Sequence, residues 1–291
     1  MRSAMRSAMA ASGSPIPWRT RLGWTRTSYV LLSAFFVTIV VIGIVWWPLL
    51  ADYMGTFDPR SPWWAQVDWL LLGVFGVMTL LIMSRPDIRR DARTAAVGLV
   101  GGLVIESWGT QTGLWAYYTL ERPPLWIIPA WPVASLAIDR LTSLLTPAAS
   151  RLDGRRTTFV YLGTFGAFSV LLLTFVWPAR GFSLTAAALL LCGFIVATPV
   201  QARIALATFA AGAGLGYFLE LWGTTRGCWT YYTLETPPLF AVTAHGMAAV
   251  AFWRTQRALG ALVSGISLIM RSAGKVTSPG SASSSPGSPL R

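Results

Sequence analysis

Residues 106–125 read ESWGTQTGLWAYYTLERPPL, and residues 220–239 read ELWGTTRGCWTYYTLETPPL. The two stretches are identical at 14 of 20 positions, with a constant offset of 114 residues. We call them the first and second copy of the motif E-x-W-G-T-x-x-G-x-W-x-Y-Y-T-L-E-x-P-P-L. Each copy lies between two apolar runs, and an internal repeat of this kind indicates a duplicated architecture. The chain is therefore expected to fold as two related halves.

The composition is typical of a membrane protein. Of the 291 residues, 54% are hydrophobic and only 12% are charged, whereas a soluble domain carries about 25% charged residues. Long apolar runs on this background predict a polytopic transmembrane helix bundle. We expect an all-α fold of about eight spans in two parallel four-helix repeats. The predicted spans are 28–50, 63–84, 94–109, 125–146, 157–177, 182–200, 203–221 and 239–260.

The sequence divides into four segments. A basic cytoplasmic stretch, 1–27, precedes the first four-helix repeat at 28–147, and the second repeat follows at 157–271. The Ser/Gly/Pro-rich tail, 272–291, is predicted to be disordered. Spans one and five both end in Trp-Pro, at an offset of 130 residues. Because this offset exceeds that of the motif, we place the additional residues of the first half in an outer loop at 49–61.

Basic residues set the expected orientation. With the N-terminus in the cytoplasm, 19 of the 23 Lys and Arg residues fall in predicted cytoplasmic segments, which satisfies the positive-inside rule. Both termini are then cytoplasmic, both motif copies face outward, and we expect a bacterial inner-membrane location. The net charge of +12 is assigned to the cytosol and to anionic lipid head groups, so no nucleic-acid partner is expected.

Two pairs of glycines precede the motif copies. Gly98 and Gly102 in the third span match Gly212 and Gly216 in the seventh. Small residues four positions apart allow helices to approach closely. We expect these two spans at the tightly packed centre, as candidates for packing against each other.

Glu106 and Glu220 are the candidate catalytic residues. Each is expected in the outer part of the membrane core, where a carboxyl group is costly unless it is paired, protonated or facing water. Such a group can serve as an acid or base in proton transfer. The alternative is a structural carboxylate that accepts hydrogen bonds from the Trp-Gly-Thr turn or pairs with Arg122 or Arg226. Asp68, without an acidic counterpart, marks either an asymmetry of the site or the water interface.

Aromatic residues of the motif are the candidate substrate-binding residues, because aromatic faces can hold a polyene or stabilise a cation. The alternative is an aromatic belt at the membrane interface. A lone histidine in a membrane span either belongs to a functional site or packs in the interior with its hydrogen bonds satisfied. The residue equivalent to His245 after the first copy, 114 positions earlier, is Trp131. The candidates are Trp108, Trp115, Tyr117, Tyr118, Trp222, Trp229, Tyr231, Tyr232 and His245.

The sequence offers no metal or cofactor chemistry. One histidine and two cysteines, Cys192 and Cys228, have neither the number nor the spacing of a metal site or a disulfide framework. Phosphate-binding loops, nucleophile elbows and zinc-protease motifs do not occur in the sequence. We therefore predict no metal and no cofactor, and find no support for nucleotide-driven transport, serine hydrolysis or zinc proteolysis.

The motif resembles that of the membrane-integral carotenoid hydratase family, over about 30 residues in each copy. That family carries a Glu-x-x-Gly-x-x-x-Gly stretch followed by tyrosines and a Pro-led hydrophobic helix. The matching residues are Glu106, Gly109, Gly113, Tyr117, Tyr118, Pro124 and Trp131, and in the second copy Glu220, Gly223, Gly227, Tyr231, Tyr232 and Pro238. This chain differs in its Trp-rich fill, its shorter Tyr-to-Pro segment and its duplication. The resemblance implies addition of water to a terminal double bond of a polyene.

Three functions follow as hypotheses. The first is a membrane enzyme, a lyase or hydratase, acting on an apolar isoprenoid or carotenoid lipid with Glu106 and Glu220 as acid/base groups. The second is a transporter or lipid-binding carrier with a site between the two repeats. The third is a non-catalytic membrane assembly subunit, for which the motif is a packing device. The expected partner is a membrane lipid or isoprenoid ligand.

Overall fold

A computed structural model describes residues 23–276, with side chains described as far as residue 263. The described part is mostly helical and has almost no strand, which confirms the all-α prediction. Its α-helices are α1 (Arg26–Val45), α2 (Trp47–Gly55), α3 (Trp69–Met83), α4 (Ile88–Gln111), α5 (Ala130–Ala149), α6 (Gly154–Phe175), α7 (Ser183–Ala197), α8 (Ala202–Thr225) and α9 (Leu239–Val276). Two short strands, β1 (Trp115–Tyr117) and β2 (Trp229–Tyr231), pair with each other, and single 3-10 turns lie at Trp63–Ala65 and Trp177–Ala179.

Three of the described helices are long and apolar enough to cross a membrane, namely α1, α6 and α8. The helices α3 and α7 are also apolar but shorter. A helix of about 20 residues is needed to cross the hydrocarbon core. The full set of eight spans and the division into two four-helix repeats stay predictions.

The first predicted span is broken in the structure. Helix α1 ends at Val45, and α2 begins at Trp47 with Pro48 in its first turn, a position that favours proline because its missing N–H has no helical partner there. The predicted outer loop at 49–61 is therefore helical as far as Gly55.

The last helix is longer than the predicted span. It runs from Leu239 to Val276, and so enters the segment predicted to be a disordered tail. Residues 23–253 belong to one compact unit, and 254–276, the end of α9, belong to a second. The remaining tail, 277–291, and most of the basic segment, 1–22, lie outside the described residues.

The glycine faces of α4 and α8 pack against the helices that follow each motif copy. A Cβ atom on Gly98 would lie 2.5 Å from the Ser135 hydroxyl of α5, and one on Gly102 would lie 2.2 Å from the Trp131 ring. In the second half, a Cβ atom on Gly216 would lie 2.5 Å from His245 of α9. These glycines thus admit α5 and α9, and the expectation that the two glycine faces meet each other is wrong.

A buried ion pair ties α4 to α5 at the ends predicted to face the cytoplasm. Arg140 Nη2 lies 2.8 Å from both carboxylate oxygens of Asp91, and the two residues are 8% and 1% exposed. The same guanidinium donates to the Ser84 carbonyl at the end of α3 and to Asp139. One arginine therefore joins three helices through contacts that a buried charge requires.

Candidate functional site

Both motif copies begin at the end of a helix and turn back along it. The helices α4 and α8 stop at a glycine with positive φ, Gly113 at 72° and Gly227 at 65°. Leu114 N–H then donates to the Gly109 carbonyl, and Cys228 N–H donates to the Gly223 carbonyl, both at 2.9 Å. This is the helix-ending arrangement in which glycine is favoured because it has no Cβ to clash.

After the turn, the two copies meet in a small antiparallel ladder. Its register pairs Trp115 with Tyr231, Ala116 with Thr230, and Tyr117 with Trp229. Ala116 and Thr230 are equivalent positions of the two copies, so the ladder is unchanged when the copies are exchanged. The motif copies therefore lie side by side around a local two-fold relationship.

Glu106 is buried beneath this ladder and is held by three donors. Its Oε2 accepts a hydrogen bond from Trp115 Nε1 at 3.0 Å. Its Oε1 accepts from the Tyr117 hydroxyl at 2.9 Å and from Trp131 Nε1 at 3.1 Å. The residue is only 4% exposed, and a buried carboxyl group requires partners of this kind.

Glu220 has the same two motif donors. Trp229 Nε1 donates to its Oε2 and the Tyr231 hydroxyl donates to its Oε1, both at 2.9 Å. The third neighbour differs, because His245 Nδ1 lies 3.6 Å from Oε1. The two carboxyl groups are thus bound alike by the motif and differently by the helix that follows it.

The spacing of the motif explains this geometry. Glu106 and Gly109 lie three residues apart, on one face of α4, and a Cβ atom on Gly109 would lie 1.9 Å from the Trp115 ring. Gly223 stands in the same relation to Trp229, at 2.0 Å. The glycine leaves room for the indole to fold back over the helix and reach the carboxylate.

His245 and Trp131 occupy equivalent positions and their rings are parallel, with centroids 5.9 Å apart and an interplanar angle of 6°. His245 Nδ1 is also 2.9 Å from the Ala241 carbonyl. Since a carbonyl oxygen only accepts, Nδ1 carries a hydrogen and donates it. In this neutral tautomer, Nε2 carries no hydrogen and can accept one.

The other four predicted site residues bind elsewhere. Trp108 Nε1 donates to the Thr185 hydroxyl at 3.2 Å, and Trp222 Nε1 donates to Asp68 at 2.9 Å. The Tyr118 and Tyr232 hydroxyls donate to the carbonyls of Val45 and Phe175, at the ends of α1 and α6. These side chains fasten the motif to surrounding helices, while Trp115, Tyr117, Trp229, Tyr231 and His245 surround the carboxyl groups.

Asp68 is a polar residue whose role the sequence left open. It begins α3 and accepts from Leu71 N–H, and its Oδ2 lies 2.9 Å from Arg226 Nε as well as from the Trp222 indole. The suggested pairing of Arg226 with a motif glutamate is therefore wrong. Asp68 provides an asymmetry, because Thr185 partners the equivalent indole of Trp108.

Trp131, which the sequence matches to His245 and which was not among the candidate site residues, belongs to the site through its hydrogen bond to Glu106. The aromatic-belt alternative does not suit the ladder, since Trp115, Tyr117 and Tyr231 are each at most 8% exposed, whereas belt residues lie at the lipid–water boundary.

No trio of His, Cys, Asp or Glu side chains within residues 23–263 is arranged to hold a metal ion. Comparisons with protein-family models, curated protein sequences and solved structures found no match to this chain.

Proposed function

We propose that this chain is a multi-pass membrane enzyme that performs acid–base chemistry on an apolar isoprenoid lipid, with Glu220 and His245 as its proton-exchanging pair. The observation that carries the proposal is the exchange of Trp131 for His245 beside otherwise equivalent carboxyl groups. An indole N–H only donates, whereas an imidazole gains and loses protons near neutral pH.

The chemistry that suits this pair is addition of water to a terminal double bond. The protonated Glu220 carboxyl group gives its proton to the CH carbon of a terminal (CH3)2C=CH double bond, and the dimethyl carbon becomes a tertiary carbocation. Water then forms a C–O bond to that carbon, and its surplus proton passes to the Glu220 carboxylate, either directly or through the His245 ring, whose Nδ1 lies 3.6 Å from Glu220 Oε1. The net change is one alkene plus one water, and aromatic faces such as Trp229 stabilise the cation.

Glu106 has a different role in this proposal. Its three neighbours are two indoles and a phenol, which do not exchange protons near neutral pH. We assign it as a fixed polar anchor of the aromatic ladder. The proposal thus narrows two equivalent acid/base groups to one, Glu220.

The membrane setting belongs to the same proposal. We place the site on the outer side of a bacterial inner membrane, in eight spans forming two parallel four-helix repeats with both termini in the cytoplasm. Equivalent contacts support this arrangement: Tyr118 binds the end of α1, and Tyr232 binds the end of α6. The acceptors, Val45 and Phe175, differ by the same 130 residues that separate the Trp-Pro pairs.

The test is mass spectrometry of lipids from cells that make lycopene and express the full chain. Wild type and the exposed control Glu121→Gln should both give a product heavier by one water. Glu220→Gln should give no such product. His245→Trp, which reproduces the Trp131 arrangement beside Glu106, should give none either. A wild type without product, or a fully active Glu220→Gln variant, would refute the assignment.

A second candidate, a non-catalytic assembly subunit, is favoured by a separate observation. Both oxygens of each glutamate already accept hydrogen bonds from the chain itself. In that case Glu106→Gln and Glu220→Gln would lower thermal stability to a similar extent and leave cellular lipids unchanged. An unmodified lipid that co-purifies with wild type and not with these variants would indicate the carrier function instead.

A further inference from the structure

Each group that contacts Glu106 packs against a group that contacts Glu220. Three ring pairs connect the two sets, with centroid separations of 5.8, 5.8 and 5.9 Å: Trp115 with Tyr231, Tyr117 with Trp229, and Trp131 with His245. The antiparallel register produces the first two pairs, because it sets the tryptophan of one copy beside the tyrosine of the other. The partners of one carboxyl group therefore form the packing surface for the partners of the other.

Trp131 joins the two carboxyl groups most directly. Its indole nitrogen donates to Glu106 Oε1, and its face lies parallel to the His245 ring. It also packs tightly against α4, since a Cβ atom on Gly102 would lie 2.2 Å from the indole. In a densely packed interior, a ring packed this tightly passes a displacement on to its neighbour.

We propose that the two motif copies form one coupled site, in which Trp131 is a positioning residue that transmits the hydrogen-bonding state of Glu106 to His245. This proposal rests on the proton-exchanging role assigned above to Glu220 and His245. When Glu106 gains a proton, its oxygens become weaker acceptors for Trp131, and the indole shifts against the imidazole. Trp131 itself touches no reacting atom.

The groups around the His245 ring determine its protonation and hydrogen bonding. From α8 it faces the Glu220 carboxyl group, and Gly216 lies against its Cβ atom. From α5 it faces Trp131, which carries the connection to Glu106 on α4. Within α9, its Nδ1 hydrogen is directed at the Ala241 carbonyl.

His245 is the only histidine in the chain, so labelling with isotopic histidine gives a single reporter. The experiment is nitrogen NMR of the purified full chain in detergent, without added lipid, because imidazole nitrogen shifts distinguish the two neutral tautomers and the imidazolium. The variants are Glu106→Gln, Trp131→Phe and Trp131→Leu, with Glu121→Gln as the exposed control and Glu220→Gln as the direct-contact control. Thermal unfolding of each variant shows whether it is folded.

Glu106→Gln is expected to move both imidazole nitrogen signals by more than the linewidth, in spite of having no direct contact with the ring. Trp131→Phe, which keeps a ring against His245 and removes the bond to Glu106, should move them as well. In the Trp131→Leu background, Glu106→Gln should have no further effect, a non-additivity that independent structural damage would not give. Signals that respond to Glu220→Gln and not to Glu106→Gln or Trp131→Phe would overturn the proposal.

Because no substrate is present, this result is independent of the lipid assay. If the His245 signals respond to Glu106→Gln but wild type forms no hydrated lipid, the two copies form one coupled site and the enzymatic role is rejected. If the His245 signals do not respond to Glu106→Gln but wild type hydrates the lipid, only the coupling between the two copies is rejected.

Discussion

Trp131 and His245 stand at the same position of the two motif halves, and their rings stack with centroids 5.9 Å apart. Each lies beside an equivalent buried glutamate, and the two differ in the one property that matters for proton transfer. A duplicated motif has in this way acquired two unequal environments. In the function that we propose, this difference supplies the proton-exchanging group, and the shared residues hold both carboxyl groups in place.

The motif glycines should not tolerate a side chain. Gly109→Ala and Gly223→Ala would place Cβ atoms about 2 Å from the Trp115 and Trp229 rings, which forces the indoles away from the carboxylates. We expect a loss of stability of about 1–3 kcal/mol for each, seen as a lower thermal unfolding temperature in detergent. Gly163→Ala in α6, where the new methyl group meets nothing within 4 Å, should instead be neutral or stabilising by up to about 1 kcal/mol.

Removal of one partner of the buried ion pair should be costly. Asp91→Leu removes the buried counter-ion of Arg140 and leaves it only the more exposed Asp139 as an ionic partner, and we expect a loss of up to about 3–5 kcal/mol. Replacement of both residues by leucine should cost less than either single change. The control is Arg156→Ala, whose side chain is 77% exposed in its pair with Asp153, with an expected change below about 1 kcal/mol. Equal destabilisation by the single and double variants would show that the pair does not act as a unit.

Asp68 should make stability depend on pH in the acidic range. Burial by itself raises the pKa of Asp68, but hydrogen bonds from Leu71 N–H, Arg226 and Trp222 outweigh it and hold the pKa below its ordinary value of 3.8. Its ionised form therefore stabilises the fold above that ordinary value, and this contribution is lost as the pH falls through the lowered pKa.

The measurement is thermal unfolding of wild type and Asp68→Asn between neutral pH and about pH 3. The wild type should be the more stable at neutral pH, and the difference should shrink as the solution becomes acidic. A constant difference across this range would show that the ionised carboxylate is not the source of the stabilisation.

The proposed orientation predicts which residues a membrane-impermeant thiol reagent can reach. In a Cys192→Ala/Cys228→Ala background, Ser61→Cys should react in intact cells, because it precedes α3 on the outer side. Ser150→Cys, between α5 and α6, should react only after permeabilisation. Both serines are exposed in the structure, so burial does not account for a difference. The reverse labelling pattern would invert the topology and place the motif on the cytoplasmic side.

Much of the local geometry was predictable from the sequence. Apolar runs indicated where the helices lie, and Gly113 and Gly227 favour the positive-φ turns that follow α4 and α8. Because the chain reverses after α4, the spacing of Glu106, Gly109 and Trp115 explains the hydrogen bond from the Trp115 indole to Glu106. The break between α1 and α2 also has a signal, because Pro48 favours the first turn of a new helix.

The long-range contacts were not predictable, because they depend on how helices distant in sequence are arranged. Trp222 meets Asp68 across 154 residues, and Trp108 meets Thr185 across 77. Neither pairing follows from the 114-residue repeat, since the two indoles have chemically different partners. The antiparallel ladder is likewise a tertiary feature, because strands of three residues carry little periodicity of their own.

The most direct test of the central claim is incubation of the purified chain with lycopene in water enriched in heavy oxygen, followed by mass spectrometry of the lipid. We expect a product carrying one heavy oxygen from wild type and from Glu121→Gln, and none from Glu220→Gln. A wild-type preparation that binds lycopene and leaves it unlabelled, or a Glu220→Gln variant that labels it at the wild-type rate, would contradict the assignment of Glu220 as the proton donor.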